Sequence, residues 1–189
     1  YEARDALRKE GKAILVEGYF DLMRCFDAGI ENVVATCGTA LTEQQAMLIK
    51  RYAPEVVVVY DADLAGIRAA LRGISILAAA GLSVQAMTPP QGKDPDDFIR
   101  AAGGQAFRHE IENAKDFVTF YIDMNAAQLR TIEGRTEIAH ALFAILHTLD
   151  APMRVDQYLK RIADGLGTHV WDCKREYEQI GRASCRERV

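Results

Sequence analysis

The chain of 189 residues has no long apolar run, no paired-cysteine motif, no internal repeat, no low-complexity tract and no excess of basic charge. No stretch approaches the roughly 20 apolar residues that a membrane-spanning helix needs, so no membrane partner is expected. The opening segment, Tyr1 to Lys12, mixes charged and polar residues and carries no signal-peptide core. Cys25, Cys37, Cys173 and Cys185 show no Cys-x-x-Cys spacing, and no nearby histidine completes a zinc pattern. They read as free thiols of a reducing cytoplasm, with Cys37 a small residue filling space. His109, His140, His147 and His169 share no evident face and receive no role, and Trp171 reads as packing. The formal charge of −4 makes the chain a poor electrostatic match for nucleic acid on its own.

Two features of the chain ends stand apart. The sequence begins without Met and inside a helical pattern, and reads as a piece of something longer. From Ile180 to Val189 it turns abruptly Arg-rich, and codons for this string can be written to match a common sequencing adapter read in frame. We read residues 180–189 as a sequence artefact; without its three arginines and one glutamate the charge moves from −4 to −6.

What is present is a pair of apolar runs that each end in acid. Ile14-Leu15-Val16 runs into Glu17-Gly18, and Val56-Val57-Val58-Val59-Tyr60 runs into Asp61-Ala62-Asp63. Ala13–Val16, Asn32–Ala35, Val56–Tyr60 and Ser83–Met87 read as strands, and helical spacing fills the gaps between them. Thr42 with Gln45 three residues on is a capping box, and Gly11, Gly29 and Gly81 are helix stops. Strand and helix alternate three times before a fourth strand, which predicts an α/β fold with a parallel sheet flanked by helices. Beyond Gly103-Gly104 everything reads helical, a small all-helical subdomain over 104–179.

In parallel sheets, ligands gather beyond the carboxyl ends of the strands. Carboxylates converging there repel one another unless a cation lies among them, and oxygen donors suit Mg²⁺ or Mn²⁺. Taken singly, each acid has an ordinary explanation. Glu17 is a favourable charge at a helix start, Asp63 an N-cap, and Asp94 an N-cap before Pro95. Capping explains one carboxylate of the Asp61–Asp63 pair and leaves the other.

Glu17-Gly18-Tyr19-Phe20-Asp21, Cys37-Gly38-Thr39-Ala40-Leu41-Thr42, Tyr60-Asp61-Ala62-Asp63-Leu64-Ala65-Gly66 and Gly92-Lys93-Asp94-Pro95-Asp96-Asp97-Phe98-Ile99 occur in an order that resembles the TOPRIM domain of bacterial DnaG-type primases. The resemblance covers Ala13 to Phe107, and the helices to about Glu178 resemble the part that follows in that family. It departs in two places, Ala62 where the family usually has Gly and Leu64 where it often has a basic or polar residue.

The resemblance implies a TOPRIM domain over 13–103, after the end of a preceding subdomain at 1–12. It implies a nucleotidyltransferase that copies a single-stranded DNA template into a short RNA primer from ribonucleoside triphosphates during DNA replication. Glu17, Asp61 and Asp63 would be catalytic and hold two Mg²⁺ or Mn²⁺ ions, Asp61 bridging them. Asp94 and Asp96 would complete the second site. Gly38, Thr39, Asp21 and Lys93 are candidates for phosphate contact or support. The family's zinc module and its helicase-binding C-terminal domain are expected to lie outside this chain, as is most of its basic template groove. The location implied is the bacterial cytoplasm, at the replisome. Two other readings remain, a TOPRIM nuclease with the same metal cage and a non-catalytic TOPRIM scaffold. A phosphoacceptor module is disfavoured, because Met87-Thr88-Pro89 offers no lysine after the last strand.

Overall fold

The computed structural model describes residues 2–60, 64–90 and 94–186, with backbone alone for 64–70 and 183–186. It divides into two compact units, Tyr1–Phe117 and Val118–Val189.

The first unit is built on five strands: β1 (Lys12–Val16), β2 (Val33–Ala35), β3 (Glu55–Val59), β4 (Ser83–Met87) and β5 (Lys115–Asp116), in the spatial order β2-β1-β3-β4-β5. The first four run parallel, with Leu15 beside Val58 and Val59 beside Met87. β5 is antiparallel to β4, pairing Gln85 with Asp116. The sheet expected to be parallel is therefore mixed. Two residues are too few to show the alternation that marks a strand, which is why this edge was read as helical.

Side chains on a strand alternate between faces. Ile14 and Val16, with Val57 and Val59, meet α2 (Tyr19–Asp27), α5 (Pro95–Ala102) and α6 (Gly104–Glu112) through Cys25, Ile99, Phe107 and Ile111. Ala13, Leu15, Val56 and Val58 turn to the opposite face, and α3 (Glu43–Tyr52) packs against α4 (Leu64–Ala79). Both sets are buried, as a parallel sheet covered on two sides requires. Upstream, α1 (Arg4–Glu10) ends at Gly11, whose φ of 64° gives a left-handed cap. Thr42 and Gln45 form the expected box: Thr42 Oγ1 accepts the Gln45 amide at 3.2 Å, and Gln45 Oε1 accepts the Thr42 amide at 2.9 Å. α6 and β5, read from sequence as part of the helical region, belong with the sheet unit.

The second unit holds α8 (Ile132–Leu146), α9 (Pro152–Leu166) and α10 (Val170–Arg186), after α7 (Phe117–Met124) and a 3₁₀ turn at Gln128–Arg130. Ile138, Leu142, Phe143, Leu146, Leu159 and Ile162 form its buried stripes. α8 and α10 lie side by side. His140 Nε2 lies 2.7 Å from Glu176 Oε1, and the His147 and Tyr177 rings stack 4.1 Å apart. Two histidines given no common face thus both meet α10, His140 from within α8 and His147 from its C-cap. Trp171 is exposed rather than packed, with the Arg175 guanidinium 4.7 Å from its ring centre. α10 continues through Ile180 to Arg186, and a methyl group on Gly181 would sit 2.8 Å from the His147 ring.

Candidate active site

The spatial order places β1 between β2 and β3, so the chain moves to one side of β1 and then crosses back to the other. This is the switch point of the sheet, where a crevice opens beyond the strand ends. Glu17 follows β1 directly. Tyr60 prolongs β3 by donating its amide to the Met87 carbonyl at 3.0 Å, and Asp61 is the next residue. The strands that Glu17 and Asp61 follow in sequence are thus neighbours, and Glu17 lies at the crevice. Asp61, Asp63 and Lys93 lie outside the described residues, as does Ala62.

The loop after β2 is laced onto Glu17. The Thr36 amide donates to the Val16 carbonyl at 3.2 Å, and the Cys37 amide to the Glu17 carbonyl at 3.0 Å. Thr39 Oγ1 donates to the Thr36 carbonyl at 2.8 Å, so its hydroxyl holds the loop and keeps its lone pairs. Cys37 and Gly38 both sit in the left-handed region, at φ 53° and 76°. Glycine adopts that conformation at little cost, whereas Cys37 is held there by the hydrogen bond of its own amide. A cavity of about 570 Å³ opens between this loop and α4, walled by Glu17, Tyr60 and Arg72 over an apolar floor that includes Leu15, Val58 and Ile76. Burial, and secondarily the charge of Glu17, pushes the Tyr60 hydroxyl well above its ordinary range.

On the other face, Asp21 is buried at the first turn of α2. Its Oδ2 accepts the Gly18 amide at 3.0 Å and its Oδ1 the Asp96 amide at 3.3 Å. The carboxylate therefore caps α2 and ties it to the start of α5. Asp94 caps α5, its Oδ1 accepting the Asp97 amide at 2.7 Å, with Pro95 at the first helical position. Asp96 has both oxygens engaged: Arg24 Nε lies 2.6 Å from Oδ1, and an Arg100 nitrogen 3.0 Å from Oδ2. The Arg24 hydrogen bond, foremost, holds the Asp96 carboxyl below its ordinary value of 3.8. Burial pushes the thiols of Cys25 and Cys173 up to about 12 and about 11, which suits fillers of space, while Cys37 is exposed.

Of the residues singled out from sequence, Glu17, Gly38 and Thr39 line the cavity, whereas Asp21, Asp94 and Asp96 lie where α2 meets α5; Arg24, Arg100 and Arg72 were given no role. Arg24 and Asp96 are 72 positions apart, so nothing local links them. Replacing Asp21 with Ala leaves two backbone amides without their acceptor and is expected to cost about 2–4 kcal/mol, read from urea unfolding monitored by circular dichroism. A loss under about 0.5 kcal/mol would show that water satisfies those amides and that Asp21 ties nothing.

A model described as Toprim-like matches residues 14–99, and one described as the DnaB-helicase binding domain of primase matches 124–169. The DNA primase of Clostridium acetobutylicum is 43% identical over 156 residues, covering 82% of this chain and 26% of that protein. The chain belongs to the bacterial DnaG-type primases. The DNA primase of Geobacillus stearothermophilus is 35% identical over 192 residues, covering 100% of this chain and 31% of that primase. Among solved structures, the Aquifex aeolicus primase, comprising zinc-binding and RNA polymerase domains, superposes with a TM-score of 0.73 at 34% identity, over 90% of this chain and 41% of that one. The primase segment described here therefore spans about a quarter to a third of those two curated relatives. One expectation is corrected. The part described as helicase-binding was placed outside the chain, yet its model falls on 124–169, across α8 and α9.

Glu17 is the one acid that lines the crevice among the described residues, and a carboxylate oxygen suits Mg²⁺ or Mn²⁺ better than zinc or copper. Among the described residues no three acids, histidines or cysteines gather closely enough to hold an ion.

Proposed function

We propose that this chain carries the carboxylate half of a primase centre that joins ribonucleotides on a single-stranded DNA template. The observation that supports this best is that β1, which runs into Glu17, and β3, after which the sequence runs into Asp61 and Asp63, are neighbours at the switch point of the sheet. Glu17, Asp61 and Asp63 would hold two divalent ions, with Asp94 and Asp96 completing the second site. Such ions, when bound, stabilise the attacking 3′-oxygen and the leaving pyrophosphate.

The chain's own residues then shape the crevice. The bonds from the loop at Thr36 and Cys37 fix the end of β1, and with it Glu17. The Gly38 backbone and the Thr39 hydroxyl allow a phosphate close approach, since a methyl group on Gly38 would meet nothing within 4 Å. Lys93, from the acidic turn, would face a nucleotide phosphate. The net charge of −4 fits a division of labour in which the template is gripped by another part of the polypeptide. The match at 124–169 supports a replicative helicase as partner of the second unit, and a place in the cytoplasm at the replication fork.

Two measurements test the reading. The chain alone should bind Mn²⁺ weakly and synthesise little or no primer. Substituted for the matching segment of the Geobacillus stearothermophilus primase, it should support primer synthesis that a chelator abolishes. Robust synthesis by the chain alone would refute the division of labour. Metal-dependent DNA cleavage without primer synthesis would replace the primase reading with the nuclease one.

A further inference from the structure

Trp171 has no partner in the core of its unit and is 64% exposed, in the first turn of α10. That helix turns Cys173 inward, buried, and sets Tyr177 against the rings of Phe143 and His147. Its outer face carries Trp171, Arg175, Glu178 and Gln179, residues about one turn apart. Among the described residues of α10, Trp171 and the adjoining Val170 are the exposed large apolar side chains. The indole is also braced. The Arg175 guanidinium lies 4.7 Å from the ring centre and reaches Asp172 Oδ1 at 3.3 Å. The turn that leads into α10 is fixed by Gly167, left-handed at φ 66°, and by the Thr168 amide donating to the Ala163 carbonyl at 2.9 Å. Lys174 pairs with Asp156 of α9 and Glu176 with His140 of α8, so the base of the helix is tied to both neighbours.

We propose that Trp171, braced by Arg175, is the anchor through which the second unit docks onto the replicative helicase. This rests on the reading of that unit as the helicase's partner, and it carries the interface past the matched stretch. The match ends at residue 169, two positions before the indole, and α10 packs on the two helices that the match spans. A tryptophan held in place loses little freedom on docking, and tryptophan and arginine are the residues that most often carry binding energy. Arg175 pairs with Asp172 at the surface, an exposed and therefore weak pair, so its charge can pass to a carboxylate of the partner. The complementary socket is apolar, sized for an indole, with an acid at its rim. Met153, at the start of α9, is more exposed at 81%, but it is flexible and unbraced and makes a poorer anchor. A nucleic-acid strand fits this face badly, because Asp172 stands beside the indole and the chain is acidic.

The test is the affinity of the whole chain for the immobilised replicative helicase of Geobacillus stearothermophilus, read by biolayer interferometry. Trp171→Ala is expected to weaken binding about 10- to 100-fold, the range of an interface hot spot. Trp171→Phe keeps a flat aromatic ring and should stay within about fivefold of the parent. Met153→Ala should stay within about twofold. Circular dichroism should show every variant folded, since the altered side chains are exposed. Parent-like binding by Trp171→Ala would overturn the inference, as would a loss confined to Met153→Ala. A self-association of the chain in sedimentation velocity that Trp171→Ala abolishes, with helicase binding unchanged, would give the face to a second copy and overturn it too. A parent chain that binds no helicase at all would instead overturn the helicase reading of the second unit.

Discussion

Glu17→Gln, in the Geobacillus stearothermophilus primase carrying this segment, is expected to lower the rate of primer synthesis by about 10²–10³-fold and to leave the fold intact. The size follows from removing one preorganised negative ligand from a centre that works by stabilising developing charge. The amide keeps an acceptor oxygen and loses the charge that draws a divalent ion. The fold should survive because Glu17 is exposed, and because its backbone carbonyl, not its carboxylate, holds the Cys37 amide. The loss should fall on kcat more than on KM for the nucleotide, since the interaction is strongest in the transition state. Asp61→Asn should be at least as severe, because it removes the carboxylate assigned to both ions. Primer synthesis that persists within tenfold of the parent in Asp61→Asn would sink the assignment of the cage. A Glu17→Gln protein that fails to fold, by circular dichroism, would show that the carboxylate is structural instead.

The strands that run into the acidic motifs were legible because their signals are local. A buried β-branched run that stops at Tyr60 and turns acidic declares both a strand and its exit, and the Val56–Val59 strand lies where that pattern puts it. The Thr42–Gln45 box was legible for the same reason, since its two partners are three positions apart. What escaped is non-local. β5 is too short to carry a period, and it joins the sheet only because β4 offers a free edge. The Arg24–Asp96 pair depends on α2 and α5 packing side by side, a fact of topology and not of either helix. Asp21 shows the intermediate case. Its position one turn after Glu17 was visible, but the amide it receives from Asp96 was not. Asp94 and Asp96 looked alike as neighbours in a turn and differ in three dimensions. One caps a helix with a single oxygen, and the other has both oxygens bound by arginine.

Gly134→Ala pits two effects of opposite sign against each other and lets the larger decide. Gly134 lies in the first turn of α8, where Thr131 Oγ1 accepts its amide at 3.0 Å. On helix propensity alone, alanine should stabilise this position by up to about 1 kcal/mol. A methyl group there would, however, sit 2.2 Å from the Gln128 carbonyl oxygen and 2.9 Å from its carbon. Both are backbone atoms of the 3₁₀ turn, so relief requires moving the turn or unwinding the start of α8. Overpacking against backbone outweighs propensity, and the second unit is expected to lose about 2–4 kcal/mol. The emission of Trp171, the single tryptophan of the chain, reports on this unit during urea unfolding. Gly165→Ala supplies the contrast. Its methyl group would approach Ile122 Cδ1 to 2.6 Å, the far end of a side chain that can rotate away. That variant should lose less than about 1 kcal/mol, the propensity gain offsetting part of the strain. A neutral or stabilised Gly134→Ala, or a Gly165→Ala as damaging as Gly134→Ala, would show that the junction between the 3₁₀ turn and α8 yields freely and that the close approach at Gly134 does not hold this unit together.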